Sequence, residues 1–274
     1  MTGAPGGGEW LQTSVGSSTP DSISLRGRDL VAEVMGEMSF AEVAFLLAAG
    51  RTPSQGESRL FNAILASLAD HGLTPTALAA RLTYTGAPEA LQGAVAAGLL
   101  GGGSVFLGPV EDTARFLAEV LAQVPAGRHS DDAALETAAA EAVRSAIGSG
   151  RRIPGLGHPI HRETDPRTPR LYELAQDTGL VGPHLRLLRF VAAAHRVESG
   201  KDLPINGAGA AGAALADLGF PPLLARGFAL LARTAGLIGH LAEESERPIG
   251  MRLWKEVDRR AAAAGERDPD GATS

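Results

Sequence analysis

The chain's 274 residues are enough for one large or two modest domains with a substantial core. Hydrophobic residues at 44% and charged residues at 20% give an ordinary soluble balance, and a formal charge of −6 argues against a general nucleic-acid surface. The absence of cysteine excludes disulfides, thiolate nucleophiles and Cys-ligated zinc or iron–sulfur centres. The opening MTGAPGGGEW has neither the basic n-region nor the apolar run of a signal peptide, and no apolar stretch is long enough to span a bilayer. The expectation is a cytoplasmic protein with no membrane and no nucleic-acid partner.

Only 4% of residues are aromatic, Ala and Leu dominate, and β-branched alternation is nearly absent, which predicts an all-α fold whose helices pack through small side chains. Residues 1–20, rich in Gly, Ser, Thr and Pro, read as a loose arm, 22–28 as a short extended piece, and DLVAEVMGEM from Asp29 as an apolar-periodic run. Ser39 with Glu42 forms a capping box for a helix ended by Gly50. Further helices are expected at 55–70, from Thr74-Pro75, at 87–100, 111–124, 130–147, 171–177 and 183–198. The GGGS at 101–104 reads as a turn, since neither a P-loop lysine nor a preceding strand accompanies it. Residues 202–212 are Gly-rich and read as irregular, followed by a short helix at 213–218, a long apolar one at 223–244 and a charged one at 252–264. The tail from 265 onward reads as frayed.

Function concentrates in the segment IPGLGHPIHRETDPRTPR at 153–170, with two glycines, two histidines, three arginines and four prolines. Glycine lets backbone approach a ligand, proline stiffens the loop, and His and Arg supply donors for an anion. No metal is expected: His158 and His161 are three apart, but Pro159 between them opposes a helical ligand pair, and no HExxH occurs. No GxSxG marks a serine hydrolase. Arg162, Arg167, Arg233 and Arg247 are candidate anion ligands. Arg233 stands out because it interrupts the apolar LLARTAGLIG, where a buried charge needs a ligand or an internal carboxylate.

Five segments in order then resemble one family. RGRDLVAEVMGEMSFAEVAFLLAAGRTP resembles an N-terminal signature, LADHGLTPTALAARL an ADHxxNAST segment, and GLGHPIHRETDPR a GxGHxVxxxxDPR loop. LPINGAGAAGAAL falls at an NVDFYSG segment, and ARTAGLIGHLAEE with ERP at a late arginine helix. The chain is similar to the citrate synthase superfamily, in particular to its short citryl-CoA-lyase-like members, from about Ile23 to Arg252. The resemblance implies a large domain of 1–109 plus 218–274, a small domain of 110–217, and a homodimer. It implies an acyl-CoA thioester and a 2-oxo dicarboxylic acid as ligands. His71 would contact the oxo acid, and His158 would hydrogen-bond the oxygen that alternates between ketone and alcohol. Arg167 and Arg233 would hold carboxylates, with Arg247 reaching across the dimer. Leu156, Gly157 and Pro159 would lie along CoA, and Arg162 would face its phosphates.

Two positions depart from the family pattern. GGGSVFLGPVED stands where the family has HGGAN, placing Leu107 or a neighbour at its enolate-stabilising His, a loss shared with ATP-citrate-lyase-like relatives. Asn206 replaces the catalytic Asp, and an amide cannot accept a proton as a carboxylate does. His161 could substitute for a lost acid–base group, although the family's corresponding position serves no catalysis, and His195 and His240 read as structural. The expected activity is cleavage of citryl-CoA, or a related 3-hydroxyacyl-CoA, to acetyl-CoA and oxaloacetate, with Asn206 at most orienting the thioester. The alternatives are a citrate- or methylcitrate-synthase-like acyltransferase with altered acyl-CoA chemistry, and a catalytically weak acyl-CoA-binding paralogue.

Overall fold

Helix boundaries fall where local capping chemistry puts them in the computed structural model, which describes residues 12–265. Ser39 and Glu42 close the expected capping box on α1 (Phe40–Ala49), and Gly50 ends it in the left-handed conformation at φ 71°. A second box, Ser54 with Glu57, opens α2 (Gln55–Ala69). Then follow α3 (Pro75–Gly86), α4 (Leu91–Leu100), α5 (Gly108–Leu121), α6 (Asp132–Gly148), α7 (Arg167–Asp177), α8 (Pro183–Ser199), α9 (Gly207–Asp217), α10 (Pro222–Glu246) and α11 (Gly250–Gly265). The fold is all-α, as the composition predicts.

Several local readings change. Residues 1–11 and 266–274 lie outside the described part, so most of the expected arm and the tail fall there. From Gly16 the chain is an antiparallel three-stranded ribbon, β1 (Gly16–Ser18), β2 (Ile23–Leu25) and β3 (Arg28–Asp29). The run after Asp29 makes only one π-turn, Leu30–Val34, because Gly36 takes φ 85° and releases the chain. The 101–104 turn leads into a π-turn at Gly103–Leu107, continuous with α5, which starts three residues before Glu111. In α7, Pro169 sits in the first turn, where its missing N–H costs nothing.

The largest difference is α9. Its glycines predict irregular chain, at about 1 kcal/mol of helix propensity each. Yet 207–217 is helical because those glycines are contact points. A Cβ on Gly207 would collide with the Arg167 guanidinium, one on Gly209 would sit 2.6 Å from the Gly155 Cα, and one on Gly212 would strike the Val110 carbonyl. Tertiary packing overrides propensity here, and Asn206 caps the helix through its Oδ1.

The core runs through the middle of the molecule along α10, which touches α2, α3, α4, α5 and α9. Four of the few aromatics cluster there. Phe45, Phe61, Phe220 and Phe228 are all buried, with neighbouring ring centroids 4.7–5.8 Å apart and mostly edge-to-face. A smaller cluster, Ala80, Ala94, Leu237 and Leu241, joins α3 and α4 to α10. Among the described residues no single helix is long and apolar enough to cross a membrane; α4 and the 103–121 segment qualify only jointly, across a 72° bend.

Candidate active site

Three imidazoles converge where the α2–α3 turn meets the loop before α7. The ring centroids of His71 and His158 are 5.2 Å apart, His71 and His161 are 5.5 Å apart, and His158 and His161 stack at 4.6 Å. All three are partly buried.

The His71 turn is clamped on α10. Gly236 lets α10 approach so closely that a Cβ there would collide with the Ala69 carbonyl. Asp70 caps the turn by accepting the Gly72 N–H at 2.8 Å, and its other oxygen lies 2.9 Å from His240 Nε2. Burial disfavours the Asp70 carboxylate, but the Gly72 N–H and His240 outweigh it and hold its pKa below the ordinary value. Arg81, almost fully buried, donates to His240 Nδ1, so the neutral His240 ring carries its proton on Nε2, toward Asp70. Arg81 also pairs with Glu244 at 2.9 Å and with Glu243. His240 is thus a bonded structural histidine. His195, buried in α8, contacts Ser199 Oγ at 3.3 Å.

The opposite loop is fixed through its backbone. Gly155 and Gly157 take φ 84° and 75°, conformations that side chains resist. Gly157 N–H donates to the Pro204 carbonyl at 2.8 Å, and Asn206 N–H donates to the Gly155 carbonyl at 2.9 Å. His158 Nδ1 accepts two backbone N–H groups, from Ile160 and His161, each at 3.1 Å. The neutral ring therefore carries its proton on Nε2 and is a donor. Burial lowers its pKa from the ordinary value, which favours the neutral ring. Ring nitrogens of His71, His158 and His161 lie within 4.8 Å of one another, a spacing a metal ion would accept. Ligation through His158 Nε2 would force a proton onto Nδ1 against two N–H donors, and this opposes such a site.

The two expected carboxylate-binding arginines differ. Arg167, at the start of α7, donates to Asp165 through Nε at 3.0 Å and Nη2 at 2.7 Å, and its Nη1 lies 3.3 Å from the Ser67 carbonyl. Asp165 is fully buried; burial would raise its pKa, but Arg167 and the Gly207 N–H hold it well below the carboxylate range. Arg233, buried in α10, has only long contacts: the Leu68 carbonyl at 3.3 and 3.4 Å and Thr76 Oγ1 at 3.5 Å. No carboxylate lies within 4 Å of it among the described residues, and burial pushes its pKa down. Arg247, at the end of α10, is 77% exposed and pairs with Glu243.

Asn206 is committed to the fold. Its Oδ1 accepts the Gly209 N–H at 2.8 Å, and its Nδ2 donates to the Gly157 carbonyl at 2.7 Å. Leu107 is buried against Gly102, and nearby Glu111 is held by Arg115 and lies 2.7 Å from Arg226. Leu156, Gly157 and Pro159 line a cleft of about 580 Å³ beside His158, together with Arg151, Arg152 and Lys201. Arg162 is exposed and does not line it. Reading by motif missed these three cations because 50 residues separate Arg151 from Lys201; only their approach in space identifies them.

The chain is similar to citryl-CoA lyase from Hydrogenobacter thermophilus, at 31% identity over 96% of this chain and 94% of that one, with a TM-score of 0.79. ATP citrate lyase from Methanosaeta concilii matches at 22% identity and TM-score 0.70, over 86% of this chain but 39% of that one. Citrate synthase from Thermotoga maritima matches at 19% identity and TM-score 0.62, over 77% and 55%. No curated protein matches the sequence. The family model for the citrate synthase C-terminal domain matches residues 26–255, a span that carries every histidine and arginine of the site, and the protein is a member of the citrate synthase family.

Proposed function

We propose that the protein cleaves citryl-CoA, or a closely related 3-hydroxyacyl-CoA, to acetyl-CoA and oxaloacetate. The observation that carries this reading is His158, whose Nε2–H is left as a donor by two backbone N–H groups on Nδ1, together with a buried Arg233 that has no carboxylate partner among the described residues. The similarity to a citryl-CoA lyase along nearly the whole chain supports it. Arg233 and the remaining N–H groups of Arg167 would take substrate carboxylates, His71 would donate to the same end, and His158 would polarise the oxygen that becomes the ketone. The CoA arm would run along Leu156–Pro159 into the cleft lined by Arg151, Arg152 and Lys201, whose charges suit its phosphates.

In this reading the protein acts as a cytoplasmic homodimer, with the exposed Arg247 of one protomer completing the other's site. The two-domain division at 109/110 and 217/218 would supply the closure that excludes water from the thioester. The test is release of oxaloacetate from citryl-CoA by purified protein, coupled to NADH oxidation by malate dehydrogenase; a rate no faster than the uncatalysed one overturns the reading. The saturated amide of Asn206 favours one rival, an acyl-CoA-binding paralogue, which calorimetric CoA binding without turnover would select.

A further inference from the structure

Cleavage of a 3-hydroxyacyl-CoA needs a group that takes the hydroxyl proton and an acid that protonates the departing carbon. The polar groups around the cluster can be tested in turn. His158 cannot take a proton, because its Nδ1 is occupied by two N–H donors and its Nε2 carries hydrogen. Asn206 is an amide with both heteroatoms bonded. Asp165 is saturated by Arg167 and the Gly207 N–H, and Asp70 by Gly72 and His240. Of the three imidazoles, the His71 and His161 rings make no hydrogen bond within the described residues, and the Glu163 carboxylate on the same loop is exposed.

Their settings differ. His71 sits on the turn held to α10 close to Arg233, the end where substrate carboxylates belong and a donor is wanted. His161 shares its loop with His158 and stacks on that ring at 4.6 Å. The stacked rings of His158 and His161 each bring one nitrogen within 4.8 Å of the other's, a spacing at which two nitrogens can share an oxygen at about 2.8 Å from each. A substrate oxygen held at His158 is therefore beside the His161 ring.

We propose that His161 is the proton-transfer residue of this site, a role that rests on the cleavage reading above. Its imidazole accepts the hydroxyl proton of the substrate while His158 donates to the same oxygen. The O–H electron pair forms the ketone, and the breaking C–C bond leaves its pair on the thioester enolate. The imidazolium of His161 returns its proton to the enolate carbon, giving acetyl-CoA and restoring the neutral ring. One residue performs both transfers, and the step needs no carboxylate at position 206. Arg162, Glu163 and Asp165 follow it on the loop, with Arg167 at the start of α7, His71 on the α2–α3 turn and Arg233 on α10 as the other ionisable groups of the site.

The test compares wild-type, His161→Gln and His71→Gln proteins on citryl-CoA, with equal thermal melting as the check on folding. His161→Gln lowers kcat by about 10²- to 10⁴-fold with KM within about 3-fold. It also removes the acid limb of the kcat/KM pH profile, and millimolar imidazole restores part of the rate. His71→Gln chiefly raises KM and keeps the limb. Turnover by His161→Gln within about 3-fold of wild type, or an acid limb that vanishes only with His71→Gln, overturns the proposal while leaving the cleavage reading standing. A wild-type protein without turnover overturns both.

Discussion

The two segments that meet at the imidazole cluster are built on opposite terms. On the α2–α3 turn, the side-chain network behind His71 is closed: Asp70 is bound by Gly72 and His240, His240 by Arg81, and Arg81 by Glu243 and Glu244. On the loop before α7 the backbone is bonded instead, at Gly155, Gly157 and through the amide of Asn206, while the His161 ring is left unpartnered. Each segment carries one imidazole whose ring is unbonded among the described residues, His71 on the first and His161 on the second, but only His161 stacks on His158. Rigidity and reactivity are thus separated by assigning one to main chain and the other to side chain, the division a preorganised site requires.

The most disruptive way to break this contrast is Asp165→Ala. It strands Arg167 and leaves the Gly207 N–H unmet, so urea unfolding at pH 7 should show a loss of about 3–5 kcal/mol. Because the Asp165 pKa is depressed in the fold, the stability it contributes is present above the unfolded value near 3.8 and is lost as pH falls below that. The wild-type advantage over Asp165→Ala should therefore shrink in acid; a constant difference between pH 7 and pH 3 would contradict this assignment.

Arg233→Leu probes the other kind of arginine. With no internal carboxylate, its removal should leave the urea midpoint unchanged or raised, while oxaloacetate binding by calorimetry weakens by about 100-fold or more. A large loss of stability with intact binding would show that Arg233 serves the fold. His240→Leu opens the closed network at its centre and should cost about 1–3 kcal/mol, whereas His240→Gln keeps a donor and an acceptor and should recover most of it. Equal losses in the two variants would mean that packing, not the relay, is what matters.

Asn206→Asp has the smallest expected effect, about 1–2 kcal/mol at pH 7, since it sets a carboxylate oxygen against the Gly157 carbonyl. Its folded pKa is then raised, so the penalty is full above that value, shrinks as pH falls below it and is gone below the unfolded pKa, where the protonated acid donates as the amide did. A variant as stable as wild type at pH 7 would show that the loop yields at that point.

What the sequence makes legible follows the range of the interaction. Ser39, Glu42 and Gly50 define α1 within a dozen residues, and the structure keeps all three roles. The ordered motifs around His71, His158 and Arg233 suffice for the family. α9 was not legible, because its glycines answer to Arg167, Gly155 and Val110, none of them near in sequence. Arg151, Arg152 and Lys201 form one basic cleft only after folding. Asn206 reads as a damaged catalytic position by motif, and its structural occupation emerges only from the Gly157 carbonyl and the Gly209 N–H. His161 is set aside by the family pattern, whose corresponding position serves no catalysis; its stacking on His158 emerges only from the fold.

The bare contact surface of α9 has a mechanical consequence. A helix that meets its neighbours through long side chains absorbs small displacements by rotamer changes, but Gly207, Gly209 and Gly212 offer nothing to rotate. A shift of the Arg167 guanidinium would press on Gly207, and the same helix meets Gly155 through Gly209, so the anion end and the segment carrying His158 and His161 bear on one side-chain-free surface.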